Sequence, residues 1–198
     1  MGSEGPEAPP VGAVLAGGEG RRIGGDKAIV ELEGRPLVSY PLEALHEVCD
    51  RVAVVAKRQT LLPPLEGAVE LWLEPDEPRD PLCGLVHALR VADGSPVLAL
   101  ACDLPLVDGD VLRALLAAAR GSTAPAVAPR VHDRLEPLCA LYRRQALPDL
   151  ERALEAGARM SDAVAALRPD ELAVADDVAF LNVDRPEDLL RAATLFGC

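Results

Sequence analysis

Aromatic side chains are scarce in this chain, with one Trp, two Tyr and two Phe among 198 residues. The core must therefore be packed by branched aliphatics and alanine, which suit buried strands with helices laid closely on them. Basic residues are outnumbered, Lys+Arg 20 against Asp+Glu 32, for a formal net charge of −12. Such a surface repels polyanions at long range, which excludes nucleic-acid binding through an extended basic face. Long hydrophobic runs are absent: stretches such as Val11 to Ala16 and Val97 to Ala101 fall far short of the roughly 20 residues that a bilayer-crossing helix requires, so no membrane partner is expected. The five cysteines form no C-x-x-C pair and signal neither a zinc cluster nor a disulfide framework. They read as reduced, buried small hydrophobes. Residues 1–10, MGSEGPEAPP, lack the basic and apolar regions of a secretory signal. They read as a disordered leader, and a cytoplasmic address is expected.

The composition that remains, 49% hydrophobic and 26% charged, is that of a globular domain. Short runs rich in Val, Leu and Ala alternate with segments of helical spacing, the pattern of a parallel sheet covered by helices. The expectation is a single α/β domain over 11–198, Rossmann-like and three-layered, with a mostly parallel central sheet and helices on both faces. Strands are expected at Val11–Ala16, Arg51–Ala56, Val69–Leu73, Pro96–Ala101, Ala124–Ala128, Leu138–Tyr142 and, briefly, Phe180–Asn182. Helices are expected at Pro36–Val48, Pro81–Ala92, Asp108–Arg120, Ala146–Ala156 and Pro186–Phe196.

The most informative stretch follows the first strand, where residues 15–27 read LAGGEGRRIGGDK. Glycines let backbone N–H groups turn inward toward a phosphate, and Arg21, Arg22 and Lys27 supply the positive charge that a triphosphate needs on an acidic protein. Two familiar phosphate loops fail on spacing. The dinucleotide fingerprint has Ile23 where its third glycine belongs, and a Walker A register from Gly20 puts Asp26 where the lysine belongs.

A second signal is Asp103, in Cys102-Asp-Leu-Pro105, directly after a buried apolar run. A central parallel strand emerges there into the crevice at its carboxyl edge, where ligands bind in such sheets. Magnesium takes one or two carboxylates together with substrate phosphate oxygens and water, so an aspartate facing the glycine loop is a sufficient protein anchor. The next helix has Asp108 or Asp110 for its cap, which leaves Asp103 free of that task.

The motifs L-A-G-G-x-x-R-R-I-G-G-D-K, EGRPL at 33–37, DPLCG at 80–84, ACDLP at 101–105, EPLCALYR at 136–143 and FLNVDRPEDL at 180–189, in this order, resemble the molybdenum cofactor guanylyltransferases. The resemblance runs from Val11 to about Leu190. It implies transfer of GMP from GTP to molybdopterin with release of pyrophosphate, assisted by Mg2+. It also implies nucleotide binding by Leu15, Ala16, Gly17 and Gly18, phosphate contacts from Arg22 and Lys27, and a metal on Asp103. Asp76 resembles the family's nucleotide-binding aspartate and could serve guanine or ribose. Asn182 resembles a second metal-side residue. Residues to about 120 would hold the nucleotide, and 121–198 the acceptor, with Arg134, Arg143 and Arg159 as candidate anion contacts. The resemblance leaves room for transient contacts with other proteins of the cofactor pathway. Val55, Asp80 and Asp184 depart from the family pattern, and Asp184 reads as the N-cap of the last helix. A cytidylyltransferase of the same pathway and a non-catalytic nucleotide-binding relative stay open, although LAGG rather than LAAG favours guanine.

Overall fold

The computed structural model describes residues 8–17, 26–174 and 177–196. Its chain alternates strands β1 (Val11–Leu15), β4 (Arg51–Ala56), β5 (Val69–Leu73) and β6 (Val97–Ala101) with helices α1 (Ser39–His46), α2 (Pro81–Val91) and α3 (Gly109–Arg120). Between β1 and α1 lies a small hairpin of β2 (Glu31–Leu32) and β3 (Arg35–Pro36). Its turn residues Glu33 and Gly34 both have positive φ, 50° and 75°, as a two-residue turn matching strand twist requires. The remainder comprises β7 (Ala126–Val131), β8 (Arg134–Leu135), β9 (Cys139–Tyr142), α4 (Leu147–Glu155), α5 (Met160–Ala166), β10 (Asp170–Val174) and α6 (Pro186–Phe196).

The main sheet runs in the order β10-β7-β9-β6-β1-β4-β5, with β8 paired to β7. Only β9 and β8 pair antiparallel to their neighbours in this sheet; β1 lies parallel to both β4 and β6. Strand order reverses at β1, which places the switch-point crevice at the carboxyl ends of β1 and β6. The central strands of the sheet are buried on both faces, whereas the edge strands β5 and β10 are largely exposed. Val14, Val54 and Leu100 pack against Leu42, Leu45, Leu112 and Leu115 of α1 and α3. Ala13, Val55 and Ala99 face Leu82, Leu85 and Leu89 of α2, with Leu150 of α4 and Val164 of α5. A third, smaller cluster joins the hairpin to the last helix through Leu32, Leu37, Tyr40, Val183 and Ala192.

Three expectations need correction. Phe180–Asn182 is not a strand: Val178–Phe180 forms a 3-10 turn, and the Val183 N–H donates to the Asp103 carbonyl at 2.9 Å. Strand β10 and helix α5 lie where neither was expected. Asp184 does not cap α6 with its side chain; the Asp188 carboxylate accepts from the backbone N–H groups of Asp184 and Arg185 at 3.1 and 2.9 Å, which frees the Asp184 side chain. The cap expected at Asp108 is present, accepting from Val111 N–H at 3.0 Å. Asp80, a departure from the family pattern, caps α2 by accepting from Leu82 N–H at 2.8 Å.

Candidate active site

The register of the parallel strands places four residues in one row past their carboxyl ends. Leu15 lies opposite Val55 on one side and Ala101 on the other, and Ala56 lies opposite Leu73. Continuing those registers sets Glu74, Lys57, Gly17 and Asp103 side by side across β5, β4, β1 and β6. The Glu74 N–H donating to Ala56 C=O at 3.0 Å carries the ladder one residue further. Row neighbours on parallel strands point to the same face, here the side covered by α2. Glu74, Gly17 and Asp103 of this row border a cavity of about 400 Å³, lined also by Leu15, Lys27, Pro81 and Gly84 among others.

At one end of the row, Lys27 Nζ donates to Asp103 Oδ2 at 2.6 Å and to Asp184 Oδ1. Lys27 begins the 3-10 turn Lys27–Ile29 that leads into the hairpin, and Asp184 leads into α6, so the third hydrophobic cluster carries both toward Asp103. Burial opposes the Lys27 charge, but Asp103 and Asp184 outweigh it and raise its pKa above the ordinary lysine value. Asp103 Oδ1 is buried and has no hydrogen-bond partner. The side-chain exposures of Lys27, Asp103 and Asp184, 14%, 15% and 48%, keep this cluster in reach of solvent and ligand.

At the other end, Lys57 and Glu74 are the two buried charged residues among those described, each 5% exposed. Lys57 Nζ stands 3.5 Å from Glu74 Oε1 and donates to the carbonyls of Pro75 at 2.7 Å and Pro78 at 3.4 Å. Burial pushes the Glu74 carboxyl above the usual range, while the Lys57 ammonium and the Cys83 thiol pull it back. Glu74 Oε2 is buried without a hydrogen-bond partner. The Glu74 carboxylate packs directly on Gly17: a Cβ at that position would lie 2.1 Å from Glu74 Oε1 and displace it.

Of the residues singled out in the sequence, Leu15, Gly17, Lys27 and Asp103 line this cavity, and Ala16 is buried beside it. Gly18 and Arg22 lie outside the described residues. Asp76 is exposed and is not part of the lining. Asn182 is exposed and borders a second cavity of about 490 Å³ with Arg130, Arg134, Ser161 and Leu138; Asp184, two residues on, is the one that joins Lys27 and Asp103. Arg134 lines that second cavity, whereas Arg143 donates to the carbonyls of Ala124 and Ala119 at 2.7 and 2.8 Å and Arg159 sits exposed at the start of α5. Lys57 and Glu74 were missed, yet the signal that marked Asp103 also marks Lys57, the first charged residue after the buried apolar run of β4; Glu74 follows an edge strand that already carries Glu70 and has no such signal.

A family model, the MobA-like NTP transferase domain, matches residues 12–172. The chain belongs to the MobA-like NTP transferase family. Among relatives of this MobA-like domain, the molybdenum cofactor guanylyltransferase of Cereibacter sphaeroides is 38% identical over 189 residues, covering 93% of this chain and 95% of that protein. The Pseudomonas putida protein of the same name is 36% identical over 149 residues, covering 74% and 76%. The crystal structure of molybdopterin-guanine dinucleotide biosynthesis protein A from Archaeoglobus fulgidus superposes with a TM-score of 0.77 at 28% identity, covering 94% of this chain and 98% of that one. Its fold is shared more widely, as with 2-C-methyl-D-erythritol 4-phosphate cytidylyltransferase from Thermus thermophilus, TM-score 0.72 at 19% identity, covering 96% and 100%. Among the described residues no helix of this MobA-like domain is long and apolar enough to cross a membrane.

Proposed function

We propose that this protein transfers GMP from GTP to molybdopterin, releasing pyrophosphate and forming the guanine dinucleotide cofactor. The observation that carries the reading is the Lys27–Asp103 pair beside Gly17 at the switch-point crevice, in a chain 38% identical to a molybdenum cofactor guanylyltransferase. A phosphate oxygen of the acceptor attacks the α-phosphorus of GTP. A new P–O bond forms as the bond from the α-phosphorus to the bridging oxygen breaks, and the electron pair leaves with pyrophosphate. This requires alignment and charge neutralisation rather than a covalent enzyme intermediate. Leu15 through Gly18 border the nucleotide, and Lys27 and Arg22 offset the charge growing on pyrophosphate. Residues 11–120 serve the nucleotide. The second cavity, formed mostly within 121–198, meets the first at Leu138 and presents Arg134 toward an anionic acceptor, Arg130 beside it being held by Glu171.

Magnesium fits the donor set: Asp103 has an unpartnered buried oxygen, and a cationic group, Lys27, already lies between two carboxylates. Asp103 and Asp184 would hold the ion with phosphate oxygens and water, and when bound it supplies charge neutralisation at the reacting phosphates. Lys27, whose ammonium joins the two carboxylates, would remain beside them to offset phosphate charge. The test is incubation of purified protein with Mg2+, molybdopterin and each nucleoside triphosphate, with pyrophosphate and the dinucleotide product both measured. GTP is expected to give both; product from CTP alone, or none from any nucleotide, overturns the reading.

A further inference from the structure

The last helix begins without using the residue that the sequence offers as its cap. Asp184 stands three residues before Glu187, with Pro186 in the first turn, the spacing at which an aspartate caps its own helix. In the structure the Asp188 carboxylate does that work from inside the first turn. Its Oδ2 accepts from the Asp184 N–H at 3.1 Å and from the Arg185 N–H at 2.9 Å. The Arg185 carbonyl opens the helix, accepting from the N–H groups of Asp188 and Leu189 at 3.0 and 3.3 Å. Upstream, Val183 is fully buried and its N–H donates to the Asp103 carbonyl at 2.9 Å. The Asp184 backbone is thus pinned on both sides, and its side chain reaches Lys27 Nζ beside Asp103. The Asp184 carboxylate has two competing uses, the helix cap and the Lys27–Asp103 cluster, and Asp188 decides between them.

We propose that Asp188 is a positioning residue for the transfer site: by taking the cap of α6 it releases the Asp184 carboxylate to Lys27 and Asp103, and without it Asp184 turns back onto the first-turn N–H groups of α6. This rests on the reading of Asp103 and Asp184 as magnesium holders and names what sets the second of them in place. Asp188 lines neither cavity, so its effect on the ion runs through Asp184. The exchange costs the helix little, because one aspartate cap replaces another, while the cluster loses a carboxylate.

The test is a double-mutant cycle of Asp188→Ala and Asp184→Ala, with Asp188→Asn as control, read by calorimetric binding of Mg2+ alone and by melting temperature. Asp188→Ala is expected to weaken Mg2+ binding several-fold, as much as Asp184→Ala does, and the double variant no further, because both single variants empty the same position. Stability is expected to behave in the opposite way. Each single variant keeps one capping aspartate and melts near the wild type, whereas the double keeps neither and melts roughly 2–4 °C below what the two singles together predict. Asn at 188 retains the acceptor oxygen and is expected to restore wild-type Mg2+ affinity. Three results each overturn the proposal. Mg2+ losses that multiply in the double variant make the two residues independent; an Asp188→Asn as weak as Asp188→Ala makes the Asp188 charge the cause; an Asp188→Ala that does not fold shows that Asp184 does not take the cap. A wild type that binds Mg2+ no better than Asp184→Ala overturns the metal reading instead. The crystal structure of Asp188→Ala then decides the positioning by itself: Asp184 on the α6 N–H groups upholds it, and Asp184 still on Lys27 overturns it.

Discussion

The two lysines at the strand ends, Lys27 and Lys57, meet carboxylates under opposite conditions. Lys27 and its partners are partly open, and the carboxylates come from a strand end and from the approach to α6. Lys57 and Glu74 are sealed beneath the strand ends, with the ammonium held by two backbone carbonyls. A water-accessible ion pair loses little when a partner is exchanged, whereas a buried one leaves a stranded charge. The first pair therefore suits a site where cations and phosphates come and go, the second a fixed support beneath the strand ends.

Breaking each pair separates these roles. Replacing Asp103 by Ala is expected to lower kcat/KM by about 10²–10³, the usual loss for one well-placed electrostatic group at a transition state. Its melting temperature should stay near that of the wild type, which thermal denaturation checks. Lys57→Met should do the reverse, destabilising the fold by roughly 3–5 kcal/mol because Glu74 is left buried and unpaired; denaturant titration measures it. A stable Lys57→Met protein would contradict the fixed-support view.

Asp184→Asn sharpens the contrast from the open side. It keeps a ligand oxygen but removes one charge, so Mg2+ affinity, measured by calorimetry without acceptor, is expected to fall several-fold while folding is unaffected. The smallest effect is on pH dependence. Burial raises the folded-state pKa of Glu74 above its unfolded value near 4.5, so the folded form holds its proton more tightly. That contribution is complete below pH 4.5 and lost as pH rises through the elevated value. The difference in melting temperature between wild type and Glu74→Gln should accordingly drift against the wild type as pH rises from 4.5 toward 7; a flat difference would contradict the raised pKa.

Much of the open site was legible. Arg51–Ala56 was bounded correctly because its buried apolar run, VAVVA, stops at Lys57, and Val69–Leu73, a largely exposed edge strand, because its pattern ends at Glu74-Pro75. Asp103 and Lys27 stood out by charge beside a strand end and a glycine loop. The elements that escaped are those without an apolar signature: β10, DELAV, is a largely exposed edge strand, and α5 is two turns long. Asn182 and Asp184 could not be ranked in the sequence, because which of two residues in an irregular segment faces Asp103 depends on the Val183–Asp103 backbone bond and on Asp188 taking over the cap.

From the order of its apolar runs and glycines the chain alone determines a parallel α/β sheet with a glycine-rich first turn, since periodicity and backbone freedom are local properties. That Glu74, Lys57, Gly17 and Asp103 form one row was decided by tertiary structure. Strand register is set by packing across the whole sheet, and residues up to 86 positions apart become neighbours only when β5, β4, β1 and β6 align.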